Sequence, residues 1–292
     1  MKRDILVIGS TGAVGSLVVA ELARAGLAVR AATRDPASFR PGCEGMVHPV
    51  ELDFERPETW PAALAGVERV FLMVRPGDDH ADRYGLPLVD EMQRSGVAHV
   101  TTLSAMGMER LPEAALHKIE RHVEKRGLAF AHLRPNFFMQ MLAGGAIGKR
   151  IRERGEIRIP AGEARLSYVD ARDVAAVAAR TLTDAALAGR GYTLTGGESL
   201  SLEEIAAKVS KAAGRSIHYV SLSEDEARRD LAASGFPPAW IERLIGFYRL
   251  VRLGACAPIS PDVATVLGRP PISMDSFARD HAPAWRLISI KP

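Results

Sequence analysis

The chain reads as an α/β protein: a Rossmann-type doubly wound parallel sheet with a small, mostly helical C-terminal lobe. Three observations predict this. Short apolar runs alternate with helix-like stretches over the first two-thirds, the pattern of a parallel sheet covered on both faces. A glycine-rich turn, "LVIGSTGAVGS" at residues 6–16, follows the first apolar run. After Pro135 the rhythm changes, and from Ser201 helical patterns dominate.

In order, Ile5–Ile8 is expected as a buried strand and Ala13–Ala25 as a helix stopped by Gly26. Strands follow at Ala28–Thr33, Gly45–Val50, Val70–Val74, Ala98–Leu103 and Ala129–Leu133. The helices between them are Pro57–Leu64, Ala81–Ser95 and Pro112–Lys125, the last two closed by Gly96 and Gly127. Right-handed crossovers make a doubly wound sheet the simple solution. Beyond Pro135, Phe137–Arg152 reads as one helix, Ile157–Ile159 and Leu166–Val169 as strands, Ala171–Leu182 as a helix and Gly191–Leu194 as a strand. Helices at Leu202–Ala213, Glu224–Ala233, Ala239–Leu253 and Ile272–Ala282 surround a lone strand at Ile217–Val220. The expected division is a nucleotide-binding core over 1–155 and a lobe over 156–292, with about 166–195 returning to the core.

Composition narrows the class. The 292 residues carry a net charge of +3, with 47% hydrophobic and 25% charged content, ordinary for a globular protein. The basic run Lys149–Arg154 alternates with apolar residues and reads as a wet helix face, not a nucleic-acid patch. Cys43 and Cys256 stand far apart, with no disulfide framework or metal-ligand spacing. The N-terminal apolar run is too short for a signal segment, and no window spans a membrane. These readings place the protein in the cytoplasm.

Gly9, Gly12 and Gly15 have distinct physical tasks at a strand-to-helix turn. Gly9 makes the tight turn, Gly12 lets amides approach a pyrophosphate, and Gly15 lets the helix pack close to the sheet. Ser10 and Thr11 add hydroxyls. The tip of the second strand reads "AVRAATRDP". A cation there accepts a 2′-phosphate and a carboxylate a ribose hydroxyl. Arg34, helped by Thr33, favours NADP(H), with NAD(H) possible because Asp35 follows. Asp53 either meets the adenine or caps the helix at Pro57.

The ordered set "GSTGAVG", "ATRDP", "SAMG", "LRPNFFMQ" and "YVDARDVAAVAA" resembles the NmrA-like branch of the atypical short-chain dehydrogenase/reductase superfamily. "GYTLTGGESLSLEEIAAKVSKAAGR" and "FPPAWIERL" extend the likeness to about Ala284. The resemblance implies a Rossmann fold with a C-terminal lobe and binding of NADP or NAD. It implies that Gly9, Thr11, Gly12, Ala13, Val14 and Gly15 form the phosphate loop and that Arg34 meets the 2′-phosphate. It further implies that Met73, Val74, Arg75 and Pro76 pass the cofactor and that Ser104 holds the family serine position. Pro135, Asn136, Phe137 and Phe138 then border the nicotinamide.

The short-chain reductase dyad, a tyrosine four residues before a lysine, is absent. Residues four beyond Tyr84, Tyr168, Tyr192, Tyr219 and Tyr248 are Leu88, Arg172, Gly196, Ser223 and Arg252. The helix in the dyad's place offers His117 and Lys118, preceded by Ser104. His117 can protonate a substrate oxygen, Lys118 can hold a ribose hydroxyl, and Ser104 can bond substrate or ribose. Each is also an ordinary helix or turn residue. His122 faces away from His117 and forms no metal pair with it. A quinone takes hydride readily and needs no protein acid, since the cofactor carries the chemistry. Met106, Met108, Phe137, Phe138, Met139 and Met141 suit a flat aromatic guest or a core, and Tyr168 closes such a pocket. Trp240, Leu244, Phe247 and Leu250 roof a site or fill the lobe.

The expectation is an NADPH-dependent oxidoreductase of a quinone or related aromatic or polycyclic molecule, monomeric or homodimeric, without nucleic-acid or membrane partners. The alternatives are a non-catalytic redox sensor binding a protein partner, and a natural-product tailoring oxygenase or reductase.

Overall fold

Apolar, β-branched runs too short to bury themselves alone form a central sheet. In the computed structural model, which describes residues 4–40 and 45–286, these runs become β1 (Asp4–Val7), β2 (Val29–Thr33), β3 (Val47–Glu51), β4 (Val67–Leu72), β5 (His99–Leu103) and β6 (Ala129–Pro135). The helices between them are α1 (Gly15–Arg24), α2 (Trp60–Leu64), α3 (Asp82–Arg94) and α4 (Ala115–Lys125). A short 3-10 turn, Pro57–Thr59, leads into α2.

The chain then builds α5 (Gly145–Arg154), β7 (Glu156–Ile159) and β8 (Arg165–Leu166), and returns to the sheet with α6 (Ala171–Thr183) and β9 (Arg190–Leu194). It leaves again through β10 (Leu200–Ser201), α7 (Leu202–Ala213), β11 (His218–Ser221), α8 (Glu224–Ala233) and α9 (Pro238–Arg252). A second return, α10 (Asp262–Leu267), precedes the last helix, α11 (Met274–Trp285).

Two compact units result. The first comprises Met1–Pro135, Ala171–Leu194 and Asp262–Arg269; the second comprises Asn136–Asp170, Thr195–Pro261 and Pro270–Pro292. The first unit holds a seven-stranded sheet in the order β3-β2-β1-β4-β5-β6-β9, parallel throughout. Helices α2, α3 and α4 cover one face through Leu64, Leu88, Met92, Ile119 and Val123, while α1 packs with α6. The strand order reverses at β1 and β4, the crevice where open α/β sheets bind ligands.

In the second unit α7 packs on α11, burying Ile205, Val209, Phe277 and Trp285. The Trp285 indole donates to the Leu142 carbonyl at 2.6 Å. Ser201 and Ser223 start α7 and α8 with reciprocal capping boxes to Glu204 and Glu226, each satisfying backbone donors that the helix cannot.

Several expectations change. The helix expected over 137–152 is a 3-10 turn, Met139–Leu142, then α5, because the chain extends at Gly144. Its Ile151 packs in the second unit's core. The strand expected at Leu166–Val169 shortens to β8, paired antiparallel with β10. The strand expected to stand alone at 217–220 pairs in parallel with β7. Trp240, Phe247 and Leu250 on α9 are exposed, so they do not fill the lobe core. Cys43 lies outside the described residues.

β5 carries a buried imidazole. Burial pushes His99 down to about 4, with Arg69 adding to the effect. Its Nε2 lies 3.0 Å from Thr101 Oγ1, which in turn lies 3.1 Å from Thr181 Oγ1. Folding therefore favours the neutral ring, and the unfolded chain binds the extra proton between about pH 6.5 and 4. Stability is full above that window and falls as pH drops through it, by about 3 kcal/mol at most. Urea unfolding at pH 7 and pH 4 measures this loss, and His99→Gln flattens it.

Candidate functional site

The glycine turn is built on contact distances. Gly9 has φ +83°, and a Cβ there would lie 2.5 Å from Met73 Cε. A Cβ on Gly15 would lie 2.1 Å from the Gly9 carbonyl oxygen. Only hydrogen fits, so the first turn of α1 presses on the end of β1. Gly12 N donates to Gly9 O at 2.9 Å, and Ser16 N donates to Gly12 O at 3.0 Å. Val14 is buried, while Thr11 and Ala13 are exposed at the rim. Ser10 departs from expectation: it is buried, and its hydroxyl donates to Ala32 O at 2.7 Å. It ties the loop to β2 and does not face an anion.

At the tip of β2, Arg34 is exposed, and among the described residues no hydrogen bond or ion pair engages it. Asp35 is already engaged. Its carboxylate accepts from Ala37 N at 3.1 Å and Ser38 N at 3.3 Å, capping the turn at Pro36. Thr33 Oγ1 accepts from Asp35 N at 3.3 Å. Asp53 does not cap the helix at Pro57, whose N-cap residue is Arg56. It closes a local turn, accepting from Glu55 N at 3.0 Å. That bond, against the opposing effect of burial and with help from Arg56 and Arg34, holds its carboxyl below the usual range.

Beyond β4, Met73 packs its side chain under Gly9 and Gly12, and Val74 is buried. Arg75 pairs with Glu55 at 2.8 Å. After β5, Ser104 N donates to Leu133 O at 2.7 Å and Met106 N to Pro135 O at 3.0 Å, so the loops after β5 and β6 travel together. Ser104 Oγ is buried without a hydrogen bond of sound geometry, although it lies close enough to Glu120 to lower that carboxyl. Glu120 is fully buried on α4 and receives Arg134 Nε at 3.1 Å and a terminal guanidinium nitrogen at 2.5 Å. Burial pushes the Glu120 carboxyl up, but the Arg134 and Ser104 contacts outweigh it and hold it down. A second buried pair lies nearby: His132 Nδ1 is 2.7 Å from Thr102 Oγ1, and Nε2 is 3.1 Å from Glu124.

His117 Nδ1 lies 3.0 Å from the Met108 carbonyl. A carbonyl only accepts, so Nδ1 carries the proton and Nε2 is the nitrogen left for other partners. Lys118 pairs with Glu113 at 3.1 Å. His122 is bound to Asp90 at 2.5 Å. Among the described residues no group of three His, Cys, Asp or Glu can hold a metal.

In the second unit, the Asn136 amide nitrogen donates to Ser167 Oγ at 2.9 Å and Cys256 O at 2.8 Å, and its oxygen accepts from Phe137 N at 2.8 Å. The side chain expected at a cofactor is thus occupied in pinning the chain near Cys256. Phe137 and Tyr168 stand 6.0 Å apart, ring to ring. Phe138 pairs with Val169 in a short bridge. Tyr168 is buried, and Met139 belongs to the same core. Burial pushes the Tyr168 phenol well above its ordinary range and raises the Cys256 thiol.

Sequence reasoning missed Glu120, Arg134 and the Met73 side chain. Glu120 had a signal: it falls inside the buried stripe Ala115, Ile119, Val123, where an acid needs a partner.

A dinucleotide fits these residues. The glycine turn is a cradle that any Cβ would fill, at the start of a helix whose amides face an anion. Arg34 offers an exposed cation one strand away. Fold and loop together define an α/β protein of the dinucleotide-binding type. The chain belongs to the NmrA-like family, whose model matches residues 1–267. It is 34% identical over 287 residues to an NAD(P)H azoreductase of Xenophilus azovorans, covering 96% of this chain and 99% of that one. Its fold matches a triphenylmethane reductase of Citrobacter sp. with TM-score 0.85 at 21% identity, covering 96% of this chain and 99% of the other. It also matches an NADPH complex of a quinone oxidoreductase from Escherichia coli with TM-score 0.85 at 21% identity, covering 94% and 99%.

Gly15→Ala drives a methyl into the Gly9 carbonyl and costs about 3 kcal/mol. Thermal unfolding reads the loss, and nucleotide titration of the folded fraction is expected to show lost binding.

Proposed function

We propose that this chain is an NADPH-dependent reductase that passes hydride to a quinone or related flat aromatic molecule. The observation that carries the reading is Arg34, an exposed guanidinium at the tip of β2, next to a glycine cradle, that no hydrogen bond or ion pair among the described residues engages. The 34% identity to an NAD(P)H azoreductase supports the same reaction class. With one oxygen of Asp35 held as a cap, Arg34 is the group at this strand tip suited to a 2′-phosphate. NAD(H) binds the same loop more weakly. The sensor alternative is not favoured, since the relative at 34% identity is an NAD(P)H azoreductase. No helix among the described residues is long and apolar enough to cross a membrane. A cytoplasmic monomer or homodimer accords with this reading.

When bound, the reduced nicotinamide supplies the hydride. The loop from Thr11 to Gly15 would hold the pyrophosphate through amides other than that of Gly12, which bonds the Gly9 carbonyl, and Arg34 and Thr33 would hold the 2′-phosphate. Asp53, Met73, Val74 and Arg75 line the adenosine path. Pro135 positions the backbone next to Ser104, through its carbonyl bond to Met106 N. Ser104, beside the ionised Glu120, bonds a cofactor or substrate hydroxyl. The His117 Nδ1–H is fixed on the Met108 carbonyl, so the step uses the imidazolium form of His117: its Nε2 proton passes to the product oxygen and the ring is left neutral, protonated at Nδ1. Lys118 steadies the ribose. Met106 would contact the substrate.

Fluorescence titration tests the cofactor assignment. Arg34→Ala loses a charged phosphate contact of about 1.5–3 kcal/mol, weakening NADPH roughly 10–150-fold and leaving NADH nearly unchanged. An equal loss for both cofactors rejects the phosphate role. Substrate-dependent loss of NADPH absorbance with quinones and azo dyes tests the reaction. His117→Asn lowers kcat about 100-fold, the range of a lost general acid. Silence of the wild type across both substrate classes overturns the reductase reading.

A further inference from the structure

The adenosine edge of the site holds a cluster that the phosphate loop does not explain. Arg75 leaves the end of β4, and its guanidinium reaches the segment after β3. There it lies 5.9 Å from the Phe54 ring centre and 5.7 Å from that of Tyr84. The two rings are stacked at 4.5 Å, with planes 23° apart. The Arg75 backbone amide donates to the Tyr84 hydroxyl at 3.1 Å. Burial pushes the Tyr84 phenol up to about 12, so it stays protonated. The guanidinium is thus aimed by two rings and anchored through its own backbone. Its ion partner, Glu55, is 73% exposed. Such a surface pair contributes about 0–1 kcal/mol and is easily displaced.

A guanidinium is planar and stacks on aromatic faces, and nucleobases offer such faces. Arg75 sits beside Asp53, within the field of its carboxylate, and Arg34 acts on that same carboxylate from β2. The three residues therefore share the edge where the proposed cofactor places its adenosine. We propose that Arg75 stacks on the adenine of the bound nucleotide, and that Glu55 is its holding partner in the free protein, displaced or swung aside on binding. This rests on the nucleotide reading above and adds a residue that grips the base, independent of the 2′-phosphate.

The test uses the full chain with NADPH, NADH, ADP and reduced nicotinamide mononucleotide as probes, followed by calorimetry. Arg75→Met keeps the aliphatic cover on Phe54 and Tyr84 and removes the cation. It is expected to weaken NADPH, NADH and ADP alike, about 3–30-fold, the range of a cation–π contact, and to leave the mononucleotide unchanged. Glu55→Gln frees the guanidinium and tightens all three adenine nucleotides about two- to fivefold. Loss confined to NADPH assigns Arg75 to the phosphate and overturns stacking. Unchanged ADP binding in Arg75→Met overturns it as well. Arg75-dependent ADP binding without NADPH oxidation sustains this inference and sinks the reductase reading instead. Absence of any nucleotide binding in the wild type ends both.

Discussion

The approach of α1 to the end of β1 constrains everything above the sheet. The first helical turn presses so close to the Gly9 carbonyl that a methyl on Gly15 would stand 2.1 Å from it. This closeness folds Gly12 back on the Gly9 carbonyl and leaves Thr11 and Ala13 exposed at the rim. Met73 then fills the space beneath Gly9 and Gly12 from β4, so the strands on which the sheet order reverses are locked at one point. Ser10 adds the third strand by bonding Ala32 on β2. A loop with three such anchors has little freedom left to lose when an anion arrives, which is what preorganised recognition requires.

A second constraint lies under the loop after β5. Two carboxylates on α4, Glu120 and Glu124, each meet a basic group from β6, Arg134 and His132. Burying such groups is costly unless they are paired and hydrogen-bonded. The doubly bonded Arg134 satisfies that condition for Glu120. The neutral ring of His132, bonded at both nitrogens, avoids burying a charge on β6. A hydrophobic substitute for the Glu120 pair would hold the helix to the sheet as well. What it would lack is an ionised group beside the Ser104 hydroxyl at the carboxyl end of the strands. The polar pair thus belongs with the site more than with the core.

Period and punctuation explain which parts of the fold were legible. Buried parallel strands and amphipathic helices imprint continuous or 3.6-residue patterns, so α7 and α8 fall on Leu202–Ala213 and Glu224–Ala233 as expected. The 3-10 turn at Met139–Leu142 carries the same apolar residues as a helix, and no local signal tells them apart. β8 and β10 are two residues each and exist only because tertiary pairing joins them. α10, six residues long, was not anticipated for the same reason: Val263 and Val266 are apolar in context but too few for a period. In the site, glycine spacing and the cation at Arg34 were legible because each follows a strand end. The internal duties of Ser10 and Asn136 were not, since a hydroxyl or amide near a ligand loop reads the same whether it faces outward or bonds the next strand.

Selectivity at the adenosine edge follows from which carboxylates are already engaged. Glu51 and Asp53 are tied to Arg56, Asp35 is tied to backbone amides, and Glu55 is tied to Arg75. In the free protein each of these interactions occupies a carboxylate oxygen that would otherwise be open to a ribose hydroxyl, and the charge of each carboxylate stays in place. Among the described residues, no hydrogen bond or ion pair holds Arg34 at this edge. A sequence with the dipeptide Arg34–Asp35 carries both signals for cofactor choice, and composition alone leaves them balanced. The cap at Pro36 breaks the balance: proline cannot donate, so the turn it begins recruits the preceding aspartate to serve Ala37 and Ser38. Replacing that proline would free the carboxylate as much as it would loosen the turn. The proposed preference for a phosphorylated cofactor therefore rests on a backbone constraint two residues beyond Arg34.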